Sequence, residues 1–276
     1  MGWTYLGILT LAALIACCCG FKKYVWFLSI GYGFAIAVIG IVLIVFGATG
    51  KLAGSIGVYL FSALFVLYGA RLSGFLLQRE LKNAAYKKTL DTVANDDKVP
   101  VFVKFFMWIF VSVLYVMQTS PVYFRMYNGD PTVVLVWVGL ALSCIGLLIE
   151  TFADLQKSAQ KKLRPQMVAT EGLYKLVRCP NYFGEILFWT GVFLSGVTTF
   201  CNVGQWIVAV LGYICIVYIM FNGAQRLEKR QVLRYGKSEA YNAYANKTPI
   251  ILPLIPIYHL NNIEKLLAEA EKKADQ

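Results

Sequence analysis

Long apolar runs separated by short polar segments dominate the chain. Seven runs approach the roughly 20 residues that a helix needs to cross the hydrocarbon core of a bilayer. They are 3–19, 24–48, 52–77, 101–120, 132–152, 182–199 and 205–224. The first run is not typical of a signal peptide, because it lacks a basic start and ends in three cysteines. The pattern predicts an all-α polytopic membrane protein with about seven transmembrane helices.

The distribution of positive charge orients these helices. Of the 276 residues, 58% are hydrophobic and only 15% are charged, and the net charge is +11. Lysine and arginine concentrate in 20–23, 78–100, 153–181 and the segment from 225 onward, while the alternate loops carry almost none. The positive-inside rule therefore predicts a cytosolic C-terminus and an outside or lumenal N-terminus. Because this rule explains the net positive charge, the bilayer is the predicted partner, and a nucleic-acid partner is not needed to explain the charge.

The polar segments are too short to hold a soluble catalytic domain. The longest is 225–276, so any chemistry must be built from the helices and their cytosolic loops. The single histidine, His259, excludes a zinc-binding H-E-x-x-H helix and is expected at a solvated surface. No cysteine spacing indicates a metal site. Ile263, Leu266, Leu267 and Ala270 share one helical face, which predicts a short cytosolic or interfacial helix.

Ionisable side chains next to the apolar runs are the first candidate functional residues, because polar groups are costly inside a bilayer. Tyr68 and Arg71 are three residues apart on one face of the third run. Taken alone, Arg71 could also be a residue whose side chain extends to the lipid headgroups. Glu150 and Asp154 end the fifth run one turn apart, near Lys157. They form either part of a site or an interfacial set of salt bridges.

The most specific motif runs from Arg178 through Cys-Pro-Asn-Tyr-Phe-Gly to Glu185. Pro180 predicts the first residue of a helix, with Asn181 and Glu185 one turn apart on its face. The backbone N–H groups of a helix start, together with Arg178, suit a phosphate group. Apolar surroundings favour a neutral Glu185, which can donate a hydrogen bond to a substrate carbonyl. The alternative is a polar helix cap with no catalytic role.

A second basic cluster follows the last apolar run. Arg226 and Arg230 share a helix face at its cytosolic end, and phosphate binding and headgroup binding both fit their spacing. Tyr241, Tyr244 and a proline-rich segment, 249–256, come next.

The run from Gly172 to Glu185, with the arginine pair, the tyrosine pair and the proline-rich end, resembles the C-terminal domain of steroid 5-alpha-reductases. It is most similar to their uncharacterised membrane relatives. The resemblance covers roughly 131–258, which leaves 1–130 with the first four transmembrane helices and 259–276 as a short helical tail. It implies a multi-pass oxidoreductase, expected in the endoplasmic reticulum membrane, that uses NADPH to reduce a carbon–carbon double bond conjugated to a carbonyl in a lipid.

The resemblance also implies roles for individual residues. Glu185 and Tyr68 would be the catalytic pair that holds the substrate carbonyl. The implied NADPH-binding residues are Arg71, Asp154, Arg178, Asn181, Arg226 and Arg230. Phe188 stands where steroid reductases have a second glutamate, and the histidines expected near Arg226 are missing. A fatty enoyl or isoprenoid-like lipid is therefore as admissible a substrate as a steroid.

Two other function classes stay open. Isoprenylcysteine carboxyl methyltransferases, which use S-adenosylmethionine, share a related C-terminal architecture, and Glu228 ahead of Tyr241 and Tyr244 is similar to their pattern. Cys179 stands where they have histidine, while Glu185 after Gly184 favours the reductases. The third possibility is a non-catalytic or transport protein, although the chain shows no inverted repeat of the kind that transporters carry.

Overall fold

The computed structural model of the protein describes residues 2–82, 99–129 and 131–274. Within these ranges the chain forms nine α-helices, three short 3₁₀ turns and no strand, which confirms the all-α prediction. The helices are α1 Gly2–Cys17, α2 Ile30–Ala48, α3 Ile56–Lys82, α4 Val101–Asn128, α5 Val134–Leu163, α6 Pro180–Gly196, α7 Val203–Tyr235, α8 Glu239–Lys247 and α9 Ile263–Ala274.

Six of these helices are long and apolar enough to cross a membrane, namely α1 to α5 and α7. The protein is therefore a multi-pass membrane protein. Helix α6, at the sixth predicted run, has 17 residues and is about 26 Å long, slightly less than the roughly 30 Å hydrocarbon core. The count of seven and the orientation stay predictions, and Lys87, Lys88 and Lys98 of the second basic loop lie outside the described residues.

The start of α2 and the end of α7 differ from the ends of the corresponding apolar runs. The second run was expected to be helical from residue 24, but 24–28 form a 3₁₀ turn, and Ser29 (φ −130°, ψ −93°) separates that turn from α2. Helix α7 continues to Tyr235, well beyond the predicted end at 224, and Gly236 follows it. Hydropathy marks only where the bilayer lies, whereas backbone hydrogen bonding continues into water until a helix-ending residue is reached.

Two compact units divide the chain. The first comprises 1–141 and 191–215, and the second comprises 142–190 and 216–276. Helices α5, α6 and α7 contribute residues to both units. The domain boundary at residue 131 is predicted from the extent of the family resemblance and not from contacts within the structure. It stays a prediction.

Glycines in the first unit allow α2 and α3 to touch through their backbones. A Cβ atom added to Gly69 would collide with the carbonyl oxygen of Gly33 and lie 2.8 Å from Cβ of Ala37. A Cβ atom on Gly33 would lie 2.7 Å from the carbonyl oxygen of Gly69. Small residues are the usual means of close helix packing in a membrane, where no hydrophobic effect drives helices together.

The tail helix α9 packs on the protein. Leu266 is buried, and Ile263 and Leu267 join it in one apolar cluster. The cluster also contains Val232 and Tyr235 from α7 and Tyr241 and Ala245 from α8. The predicted helix is confirmed, and its apolar face covers the second unit; the side chain of Ala270 lies outside the described part of the chain.

We expect Gly69→Ala to destabilise the protein by about 1–3 kcal/mol, because neighbouring backbone atoms occupy the position of the new methyl group. Thermal unfolding of the detergent-purified protein measures the loss. Gly74→Ala is the matched control on α3, since a Cβ atom there meets nothing within 4 Å. A better helix former at that position is expected to be neutral or stabilising. Equal effects of the two substitutions would contradict the close helix contact.

Candidate active site

The start of α6 is held by the proline-rich segment that follows α8. The backbone N–H of Arg178 donates to the carbonyl of Pro249 (2.8 Å), and that of Cys179 donates to Ile250 (2.9 Å). Ile250 in turn donates to the carbonyl of Ile257 (2.8 Å). Pro180 then begins the helix, as its sequence position predicts. Two parts of the sequence motif that are about 70 residues apart along the chain thus form one local structure.

Gly184 is required by the crossing of α5 and α6. A Cβ atom on Gly184 would lie 2.6 Å from the carbonyl oxygen of Gly146 and 2.8 Å from the backbone nitrogen of Glu150. A Cβ atom on Gly146 would lie 2.6 Å from the backbone nitrogen of Phe188. This contact fixes the backbone immediately before Glu185.

Glu185 is buried, as the apolar residues around it predict. The residue is 5% exposed, and Oε1 accepts a hydrogen bond from the indole Nε1 of Trp189, 3.0 Å away and one turn later. Asn181 lies one turn earlier and is half-buried. The contact with Trp189 holds the carboxyl group at a defined position on the helix.

A buried carboxylate, Glu228 on α7, organises the polar centre of the second unit. It accepts hydrogen bonds from Arg178 Nη2 (2.7 Å), His259 Nδ1 (3.0 Å), Leu260 N (2.9 Å), Asn261 N (3.0 Å) and Asn261 Nδ2 (2.9 Å). The side chains of Arg178 and Glu228 are 1% and 0% exposed. The five hydrogen bonds offset the free-energy cost of removing the carboxylate from water. They also connect residues 259–261 to the segment that precedes α6.

His259 is only partly exposed, so the expected surface position is confirmed in part and the expected solvation is not. Its side chain is 28% exposed, and its Nε2 lies 2.8 Å from Oδ1 of Asn246. The ring therefore bridges α8 and the carboxylate of Glu228. The physical reason is that residues 258–261 fold back onto α7, which chain position alone does not indicate.

Arg178 has unused hydrogen-bonding capacity in spite of its burial. Its Nη2 donates to Glu228 and to the carbonyl of Tyr258. Nε and Nη1 are buried and form no well-aligned hydrogen bond within the described ranges, and the same holds for the hydroxyl group of Tyr241, although this hydroxyl lies within hydrogen-bonding reach of Arg178. An acceptor such as a phosphate oxygen or a water molecule would complete this arrangement.

Three predicted cofactor-binding residues lie within electrostatic reach of Tyr182 in the first turn of α6. Asp154, Arg226 and Arg230 all act electrostatically on its phenol group. Both arginines are exposed and Asp154 is half-buried. Two exposed guanidinium groups beside a helix N-terminus form an arrangement suited to phosphate groups.

The neighbouring thiol and phenol groups are neutral. Burial raises the pKa of the Cys179 thiol to about 12, and it also raises the pKa values of Tyr174 and Tyr244. The Tyr244 hydroxyl donates to the carbonyl of Tyr174 (2.7 Å), and the Tyr174 hydroxyl donates to that of Ala153 (3.2 Å). At physiological pH these groups therefore provide hydrogen bonds and packing, and Cys179 does not provide a thiolate nucleophile.

Two glutamines that sequence analysis missed hold the loop ahead of the motif. Oε1 of Gln160 accepts from the backbone N–H groups of Thr170 (2.9 Å) and Glu171 (3.1 Å). Oε1 of Gln156 accepts from that of Leu173 (2.9 Å), next to Gly172 with φ +68°. The sequence signal that could have identified them is their four-residue spacing, which places both side chains on one face of the polar extension of α5.

The remaining two predicted residues belong to the first unit. Tyr68 on α3 is fully buried, and its ring lies edge-on to Tyr32 with centroids 5.9 Å apart. Arg71 is half-buried, with its guanidinium 5.8 Å from the ring centroid of Phe75. The other candidates, Asp154, Arg178, Asn181, Glu185, Arg226 and Arg230, lie in the second unit. The pairing of Tyr68 with Glu185 therefore stays a prediction.

This helical architecture defines a multi-pass membrane protein with a buried acid and an arginine cluster near the start of one helix. The chain belongs to the family described as a protein of unknown function, DUF1295, whose model matches residues 20–248. This family is related to steroid 5-alpha-reductase-like membrane proteins. No curated protein and no solved structure matches the chain.

We expect Glu228→Gln to destabilise the protein by about 3–5 kcal/mol, because it leaves the buried guanidinium of Arg178 without a compensating charge. Thermal unfolding in detergent measures the effect, with Glu239→Gln on the exposed first turn of α8 as the control. The double substitution Arg178→Met with Glu228→Leu removes both charges and is expected to recover part of the loss. Stability that is unchanged in Glu228→Gln would show that the carboxylate does not hold this region together.

Proposed function

We propose that the protein is a membrane-embedded, NADPH-dependent reductase of a carbon–carbon double bond conjugated to a carbonyl group in a lipid. The observation that carries the proposal is the buried carboxyl group of Glu185, just over one turn into a helix whose first turn is flanked by Arg226 and Arg230. Kinship of the family with steroid 5-alpha-reductase-like proteins supports it. The endoplasmic reticulum membrane is the compartment that this kinship suggests.

The arrangement around Tyr182 fits the phosphate groups of a dinucleotide. Arg226 and Arg230 would bind them through exposed guanidinium groups, and the N-terminus of α6 adds the backbone N–H groups and partial positive charge of a helix start. Asn181 would add a further donor, and the buried Arg178 would support the site through its positive charge. Bound NADPH supplies the hydride of the reaction.

Glu185 would act on the substrate carbonyl. In its neutral form the carboxyl group donates a hydrogen bond to the carbonyl oxygen, and that bond strengthens as negative charge develops there during reduction. Trp189 would orient the carboxyl group through the indole N–H. Tyr68 is the proposed second donor, on the basis of the Tyr-x-x-Arg pattern alone. Steroid, enoyl and isoprenoid-like lipids all offer the required conjugated carbonyl.

A methyltransferase that uses S-adenosylmethionine is the second candidate. The observation that favours it is the central position of Glu228, near Tyr241 and ahead of Tyr244, which is similar to the pattern in isoprenylcysteine carboxyl methyltransferases. Nothing in that chemistry requires a buried acid at Glu185, and the reductase is therefore the preferred proposal.

Ligand-dependent stability separates the two candidates. A ligand that binds only the folded protein raises its unfolding temperature, so we expect NADPH to stabilise the detergent-purified protein and S-adenosylmethionine to have no effect. Arg226→Gln with Arg230→Gln is expected to abolish the shift, and Lys265→Gln is the control for loss of a positive charge. Stabilisation by S-adenosylmethionine alone would contradict the reductase function and support the methyltransferase. No shift with either ligand would favour a non-catalytic protein.

We expect Glu185→Gln to lower the reduction rate of an enone lipid by about 10²–10³-fold, because the amide is a weaker hydrogen-bond donor to a developing oxyanion. NADPH affinity is expected to stay nearly unchanged. Loss of NADPH absorbance measures turnover, the thermal shift measures binding, and Glu239→Gln is the control. Unchanged turnover would show that Glu185 has only a structural role.

A further inference from the structure

A cavity of about 790 Å³ opens in the first unit where α2 ends and α3 begins. Its walls include Tyr5 of α1, Lys51 of the turn between α2 and α3, Tyr59 of α3 and Tyr127 of α4. No acidic residue is among the residues that line it. The volume falls within the range of small-molecule sites, about 300–1,000 Å³.

Glycines set the shape of this cavity. A Cβ atom on Gly54 would collide with the hydroxyl of Tyr59, and one on Gly47 would lie 2.6 Å from the same oxygen. The phenol of Tyr59 therefore lies across the turn only because both positions lack a side chain. The ring of Tyr127 likewise covers Gly2, where a Cβ atom would lie 2.8 Å from it. These contacts hold two of the phenol groups in place.

The polar side chains that line the cavity have no hydrogen-bond partner among the described residues. The hydroxyl groups of Tyr5, Tyr59 and Tyr127 and the ammonium group of Lys51 form no hydrogen bond or ion pair with any residue that the structure describes. The described residues that line the cavity thus supply one positive charge and three phenol groups and include no carboxylate. Such a set favours an oxyanion, and phosphate oxygens accept bonds from all four groups.

The surroundings indicate where such a phosphate group comes from. Trp3 and Ile56, which flank the cavity along α1 and α3, are 73% and 62% exposed. Both helices are among those able to cross a membrane. Tryptophan and tyrosine concentrate where a bilayer meets water, at the depth of the lipid headgroups. The aromatic residues at the ends of α1 and α3 are therefore of the type expected at headgroup level, and the cavity beside them carries donors for an anion.

We propose that this cavity binds the phosphate group of an anionic phospholipid, through Lys51 and the phenol groups of Tyr5, Tyr59 and Tyr127. The proposal is independent of the reductase function, because it uses neither Glu185 nor the arginine cluster. Lipid binding there would stabilise the end of the first unit by joining α1, α3 and α4 through one headgroup.

The test uses dihexanoyl phosphatidylglycerol, a short-chain anionic lipid, added to the detergent-purified full chain. We expect a rise in unfolding temperature that saturates with lipid concentration. Lys51→Gln and Tyr59→Phe are each expected to weaken the apparent affinity about tenfold, while Lys51→Arg retains it. The matched controls are Lys229→Gln and Tyr218→Phe, which remove an ammonium and a phenol group from exposed positions on α7. Unfolding temperatures without lipid show whether each variant folds.

Further probes identify the source of the phosphate group. Dihexanoyl phosphatidylcholine is expected to bind more weakly, since its headgroup has no net charge, and inorganic phosphate is expected to bind weakly or not at all. Stabilisation by inorganic phosphate with the same dependence on Lys51 would assign the site to a free phosphate group and overturn the lipid assignment. Absence of any stabilisation, or stabilisation that is unchanged in Lys51→Gln and Tyr59→Phe, would overturn the site itself.

Discussion

The carboxylate of Glu228 is the point on which the second unit depends. It is fully removed from water, and its five hydrogen bonds and the charge of Arg178 offset the free-energy cost of desolvation. Those bonds reach the chain before α6 and the segment that returns from the proline-rich turn. Together with the backbone hydrogen bonds of Arg178 and Cys179 to Pro249 and Ile250, this carboxylate fixes the positions of both segments.

Four of the five hydrogen bonds to Glu228 come from 259–261. These residues lie beyond 20–248, the part that the family model matches. The C-terminal segment is therefore part of the architecture of the second unit in this chain. Helix α9 extends the same packing by covering α7 and α8 with its apolar face.

The start of α6 combines two electrostatic environments within little more than one turn. Arg226 and Arg230 are exposed and lie within electrostatic reach of Tyr182, whereas Glu185 is buried and bonded to Trp189. The exposed arginines are accessible to an anionic group, whereas the buried carboxyl group is shielded from water. The close contact of Gly184 with Gly146 maintains this division, because it brings α5 against the buried side of the helix.

The sequence by itself determined the helical class, because apolar runs in a bilayer must satisfy every backbone hydrogen bond internally. It also predicted that α6 begins at Pro180 and that Glu185 is buried, since both depend on neighbouring residues. Only the tertiary structure decided the roles of Glu228, His259 and the glutamine pair on α5. Their partners lie from 10 to 50 residues away along the chain, and local pattern does not encode which distant groups meet. The same reason explains why hydropathy placed the membrane segments but not the polar helical extensions that carry Asp154, Arg226 and Arg230.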